Sequence, residues 1–275
     1  MKHFPLLLLF SVLLTAPVQA GQKVLATVHP IALMAASVTP AEDLTVLLPV
    51  GMTPHDFSMR PSDVALIRAA DIIIWAGAVA EPYLQSFVQR WPQKTWLDVS
   101  QGAEPEDEHG GHDTHHDPHW WLSPQQMIRA QQALAQALQT DDGGFAAVVG
   151  QQLSLSHAQL APYRERGFFV FHRAYDHWVE LMGLNQVGAF TVSPEQKPGL
   201  KTLQHMREQL VSGDVVCVFS EPEFSPAVVE SVVSGLDVRR GELDPMAANI
   251  PVTTDGYVRF LQDLTSRFRA CLQPG

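Results

Sequence analysis

Residues 62–75 read S-D-V-A-L-I-R-A-A-D-I-I-I-W, and this stretch decides the fold. Ser62 reads as a helix N-cap, and V-A-L-I-R-A-A as the short helix behind it. A continuous apolar run over Asp71–Trp75 follows at once. A strand that is apolar at successive positions is buried on both faces, as in a parallel sheet covered by helices. The alternation extends in both directions. Strands are expected at Lys23–Val28, Leu44–Val50 and Thr95–Val99, with helical period over Pro30–Val38 and Glu81–Trp91. Such βαβα order implies a parallel sheet flanked by helices.

The character changes after Gln101. Residues 102–118, G-A-E-P-E-D-E-H-G-G-H-D-T-H-H-D-P, carry almost nothing apolar and read as a loop rich in histidine and acid, over 103–118. From Ser123 the period is helical again. Beyond a break at Gly143–Gly144 a second helical stretch runs from about Phe145 to Arg166, read as a long rigid helix joining two lobes. The alternation then restarts, with strands expected at Phe168–Phe171, Gln186–Phe190, Val215–Ser220 and Val238–Leu243. Helices are expected at Ala174–Met182, Gly199–Val211, Pro226–Ser234 and Asp255–Leu272. The fold class is therefore α/β, with two lobes, each a mainly parallel sheet flanked by helices. The lobes are taken as 21–142 and 167–275, with 143–166 as the linking helix.

Residues 1–20 read as a cleavable secretory signal. Lys2 precedes an apolar stretch that ends in a small-residue site at Ala20. The apolar part is too short, and interrupted too soon by Pro17, for a membrane span, so stable membrane insertion is not expected. No cysteine lies near Ala20, so no lipid anchor is expected, and the periplasm is the expected compartment. The net charge of −11 becomes more negative when Lys2 leaves with the signal, which argues against nucleic acid as a partner and suits a protein that attracts cations. The two cysteines, Cys217 in V-V-C-V-F and Cys271 near the C-terminus, favour a disulfide in an exported protein, with two free buried thiols as the alternative.

Three histidines stand after apolar, strand-like runs, in V-G-M-T-P-H-D (His55), D-P-H-W-W-L-S-P (His119) and F-F-V-F-H-R-A-Y (His172). Asp244, in G-E-L-D-P, occupies a fourth such position. Open α/β sheets present functional groups from the carboxyl ends of their strands. Three imidazoles and one carboxylate have the count and chemistry of a tetrahedral zinc shell, and also suit other late transition metals. His29 reads as a helix-start or cleft-lining residue, His177 as packed or solvent-facing, and His157 and His205 as helix-surface residues. Asp56, Asp117 and Tyr175 are candidates for orienting the ligand rings. His109, His112, His115 and His116, with their acidic neighbours, form either a weak secondary metal site or a solvated acidic loop.

These segments resemble a known family. L-L-P-V-G-M-T-P-H-D-F-S-M-R-P-S-D-V (47–64), D-P-H-W-W-L-S-P (117–124), F-H-R-A-Y, S-E-P-E-F-S-P (220–226) and L-D-P are similar to the ZnuA-like solute-binding proteins of ABC transporters, metal-binding cluster A-I. The resemblance spans essentially the whole chain after residue 20. It implies two α/β lobes joined by a rigid helix, with the metal between them, and His55, His119 and His172 as ligands. Asp244 resembles the fourth ligand, with water as the competing occupant. Manganese-type relatives usually carry glutamate at the position of His172, so histidine there favours Zn2+. The resemblance also implies the Cys217–Cys271 disulfide.

The function expected is capture of Zn2+ by a monomeric periplasmic binding protein that delivers it to an inner-membrane ABC permease. A manganese or iron carrier is the alternative within that class, and an adhesion or metal-buffering protein would share the same site. A zinc hydrolase with three histidines and an open position is the alternative from another class. The chain shows no H-E-x-x-H, no G-x-S-x-G and no phosphate-cradling glycine loop, so it is not read as an enzyme.

Overall fold

The apolar runs form strands where the alternation requires them. In a computed structural model that describes residues 21–101, 117–191, 199–212, 215–225 and 227–274, Val24–Ala26 (β1), Leu44–Val46 (β2), Ile72–Trp75 (β3) and Thr95–Asp98 (β4) make one sheet. Its order is β2-β1-β3-β4, and every pairing is parallel. Gly167–His172 (β5), Gln186–Thr191 (β6), Val215–Ser220 (β7) and Arg239–Glu242 (β8) make a second sheet in the order β6-β5-β7-β8, again all parallel. Ile72, Ile73 and Ile74 are shut off from solvent, as a strand covered on both faces demands.

The helices are His29–Ala35 (α1), Pro61–Ala69 (α2), Gln85–Arg90 (α3), Pro124–Leu138 (α4), Phe145–Leu160 (α5), Asp176–Met182 (α6), Leu200–Ser212 (α7), Ala227–Val233 (α8) and Gly256–Leu272 (α9). Ser62 is not the cap of α2. Arg60 is the cap, and the helix starts two residues earlier than a Ser62 cap would set it, at Pro61, whose fixed φ suits the first turn; the Asp63 carboxylate accepts the Arg60 N–H at 2.8 Å. The helical stretch expected over Glu81–Trp91 is a 3-10 turn, Pro82–Leu84, followed by the short α3. The segment 143–166 contains α5 and a 3-10 turn at Ala161–Tyr163 that leads into β5. The signal expected over 1–20, and His109, His112, His115 and His116, lie outside the described residues.

One element lies against both halves. On α9, Tyr257, Phe260, Leu261, Leu264, Phe268 and Leu272 are buried in one stripe at helical spacing. The helix packs on β7 and β8 of the second sheet, on α5, and on α1 of the first half. Its Tyr257 hydroxyl donates to the Trp121 carbonyl at 3.0 Å, and Trp121 Nε1 donates to the Pro245 carbonyl at 2.8 Å. Six buried apolar side chains at about 1.5–3 kcal/mol each outweigh any single polar contact, so packing fixes this helix. Cys217 on β7 and Cys271 on α9 form the expected disulfide, with Cα atoms 5.8 Å apart. Gly241 makes room both for the Phe219 ring, which a Cβ there would meet at 2.7 Å, and for α9, whose Cys271 Cβ it would meet at 3.2 Å.

Candidate metal centre

The site begins with the crossover pattern of the second sheet. From β5 the chain passes to β6 on one side and later to β7 on the other. The carboxyl end of β5 is therefore a switch point, where neighbouring loops diverge and leave a crevice. His172 is the last residue of β5. The ladder pairs Phe169 with Val218, so three residues further on Glu221 stands level with His172. The Glu221 carboxylate accepts the His172 Nδ1 proton at 2.8 Å.

The other two imidazoles come from the first half, but not from strand ends. His55 lies in a 3-10 turn, Pro54–Asp56, well beyond the end of β2. His119 directly precedes the 3-10 turn Trp120–Leu122, in a loop far from β4. The apolar residues beside His119 read as a strand in sequence, yet Trp121 and Leu122 are buried as turn residues. What fixes His119 instead is Asp117. One carboxylate oxygen accepts both the His119 backbone N–H, at 2.9 Å, and Nδ1–H, at 2.6 Å. The other oxygen accepts the Asp176 N–H of α6 at 3.0 Å. His177 Nε2 donates to the Asp117 carbonyl at 2.9 Å, and its ring stacks on Trp120 at 4.4 Å. The second half thus grips the loop that carries His119.

The three rings converge. His119 Nε2 lies 3.3 Å from His55 Nε2 and 3.3 Å from His172 Nε2. Possible ligand atoms of all three lie within 4.8 Å of one another. With Nδ1–H of His119 and of His172 given to carboxylates, a neutral imidazole at either position has its lone pair on Nε2. Those two lone pairs face each other, an arrangement that repels unless a cation lies between them. Burial pushes the His119 pKa well below its ordinary value, and the charges of His172 and His177 push the same way, so this ring stays neutral and able to ligate. Burial also drives Asp117 up to about 7, and it raises Glu221, where the charge of His172 works against it.

Asp244 follows β8 and is buried, but it stands outside the close group of three. Its two oxygens accept the N–H groups of Met246 at 2.9 Å and Ala248 at 2.7 Å. Of the candidate orienting groups, Asp117 holds a ring, Asp56 is exposed, and the Tyr175 hydroxyl faces Glu221 rather than an imidazole. Sequence reading missed Glu221. The available signal was its place directly after β7, beside the strand that ends in His172. His29 starts α1, and its Nε2 pairs with the Ile250 carbonyl at 2.8 Å, away from the cluster. His157 bonds Arg164 at 3.0 Å, and His205 is exposed.

Two parallel-sheet lobes with imidazoles from both halves meeting at one point define a two-lobed protein with a group that could hold a metal ion. The model of the family described as zinc-uptake complex component A, periplasmic, matches residues 24–271, and the chain belongs to that family. The high-affinity zinc uptake system protein ZnuA of Yersinia pestis is 34% identical, over 92% of each chain. A mutant laminin-binding adhesin of Streptococcus agalactiae is similar in fold, with a TM-score of 0.79 at 20% identity, covering 92% of this chain and 100% of that one. A Pseudomonas aeruginosa solute-binding protein, FpvC, solved in complex with Mn2+, reaches 0.77 at 17% identity, over 92% and 98%.

Proposed function

We propose that this chain captures Zn2+ between its lobes in the periplasm and hands the ion to an inner-membrane ABC permease. The observation that carries this reading is the spacing of the Nε2 atoms. A tetrahedral ion with nitrogen ligands at about 2.0–2.1 Å has ligand–ligand edges of about 3.3 Å. Both spacings from His119 are 3.3 Å. Three imidazole nitrogens favour zinc over manganese, which prefers oxygen. Asp244 closes the shell as fourth ligand, and water can take its place. The segment 143–166 acts as the strut between lobes, and the protein works as a monomer. Capture and release break no covalent bond, so no catalytic residue is assigned.

Calorimetric titration with Zn2+ tests the assignment. His55→Ala, His119→Ala and His172→Ala should each weaken binding strongly, by about 100-fold or more. Asp244→Ala should cost less. Zinc affinity unchanged in the three histidine variants would refute the reading. Competition against Mn2+ under metal-buffered conditions separates it from a manganese carrier.

A further inference from the structure

The first sheet has a switch point of its own. From β1 the chain passes to β2 on one side and later to β3 on the other, so a crevice opens at the carboxyl end of β1. An acid fills it. Glu81 is shut off from solvent, and one of its oxygens accepts the hydroxyl of Thr27, the residue after β1, at 2.6 Å. The same oxygen accepts the N–H of Ala76, the residue after β3, at 2.7 Å. The other oxygen accepts the Tyr83 hydroxyl at 2.7 Å. Tyr83 sets its ring against that of Phe57, with centroids 5.3 Å apart and planes inclined at 65°. Phe57 is buried and is the C-cap of the 3-10 turn Pro54–Asp56, two residues beyond His55. A line of contacts therefore runs from the ends of two strands to the turn that carries one of the three imidazoles.

A ligand ring serves a metal only when it is held within about 0.5 Å of the right place. A 3-10 turn has poorer internal hydrogen-bond geometry than an α-helix, so a short one depends on what packs behind it. Burying a carboxylate costs stability, but a buried polar network whose members are all satisfied rigidifies what it touches. We propose that Tyr83 is the positioning residue for His55. Held by Glu81 and seated against Phe57, it keeps the turn where the His55 Nε2 can stand 3.3 Å from that of His119. This rests on the zinc-carrier reading of the imidazole cluster. Such preorganisation acts mostly on the rate of loss, because a ligand that strays lets the ion go sooner.

The test follows Zn2+ loss to a chelator by stopped flow, and affinity by competition, in full chains. Tyr83→Leu lacks both ring and hydroxyl, and should lose Zn2+ about tenfold faster and bind it about tenfold more weakly, with uptake little changed. Tyr83→Phe, which keeps the ring, should recover part of both. Urea titration with chelator present reads folding separately, and a merely structural Tyr83 would move that midpoint alone. Should Tyr83→Leu fail to fold, Phe57→Leu, which keeps the bond between Tyr83 and Glu81, carries the same expectations. A double-mutant cycle with His55→Ala locates the effect. On that background Tyr83→Leu should change affinity by less than about twofold, because no imidazole remains to be placed. An unchanged rate of loss, or an equal drop in affinity with and without His55, overturns the proposal. An unaltered chain that binds no Zn2+ would sink the carrier reading itself, which neither of those results does.

Discussion

An imidazole binds metal through a lone pair, and which nitrogen carries that pair is decided by what the other nitrogen touches. Asp117 and Glu221 make that decision for His119 and His172. Glu221→Gln keeps the shape but removes the charge that strengthens the ring as a donor. It should weaken Zn2+ binding by about 10–100-fold without unfolding the protein, as calorimetry alongside circular dichroism would show. The three histidines that gather here were legible from their motifs, but their hydrogen-bond partners were less so. Asp117 is two residues from its ring, whereas Glu221 is 49 residues from His172 and becomes a neighbour only through the β5–β7 ladder. A second buried acid, Glu81, accepts from the Thr27 hydroxyl at 2.6 Å, the Ala76 N–H at 2.7 Å and the Tyr83 hydroxyl at 2.7 Å. Burial nevertheless raises its pKa above 4.5. Above the unfolded pKa the native state holds a proton that the unfolded chain has lost, so the stability from this group falls as pH rises through the raised folded pKa. Glu81→Gln, which cannot titrate, should therefore gain on the unaltered chain as pH rises above about 5, read as a shift in relative urea midpoints.

At the scale of elements, the strands were easiest to read, because a strand buried on both faces is a bare apolar run. Val215–Ser220 is found with the same bounds in sequence and structure. Pro82 and the short span to Trp91 turned an expected single helix into a 3-10 turn and α3. Around His119, apolar content alone suggested a strand end, but Pro118 and Pro124 bracket a tight turn packed against the core. The disulfide between β7 and α9 closes a separation of 54 residues. The chain-entropy model gives such a loop about 4 kcal/mol. Replacing Cys217 and Cys271 together by Ala should lower the free energy of unfolding by about 2–4 kcal/mol, measured by urea titration, with Zn2+ affinity largely kept because neither sulfur lies in the metal cluster.

For the whole molecule, a cation bound by residues from both halves stabilises only the assembled state. Linkage then predicts a gain in stability of about 2.7 kcal/mol when free Zn2+ exceeds the dissociation constant by about 100-fold. Thermal melts should show a rise in Tm on adding Zn2+ and its loss with a chelator, and His119→Ala should show neither. A shift that survives in that variant would mean that the metal acts elsewhere. The two-lobe plan followed from the repeated alternation, but the reach of the last helix did not, since no local pattern tells a helix which distant partners it will meet. Bonded covalently to β7 and packed on α1, α9 works like the spine of a book, bound to one cover and pressed on the other. Covers hinged that firmly do not swing wide, and at the fore-edge, of the three gathered imidazoles, it is that of His55, on its short turn, that stays partly open to solvent.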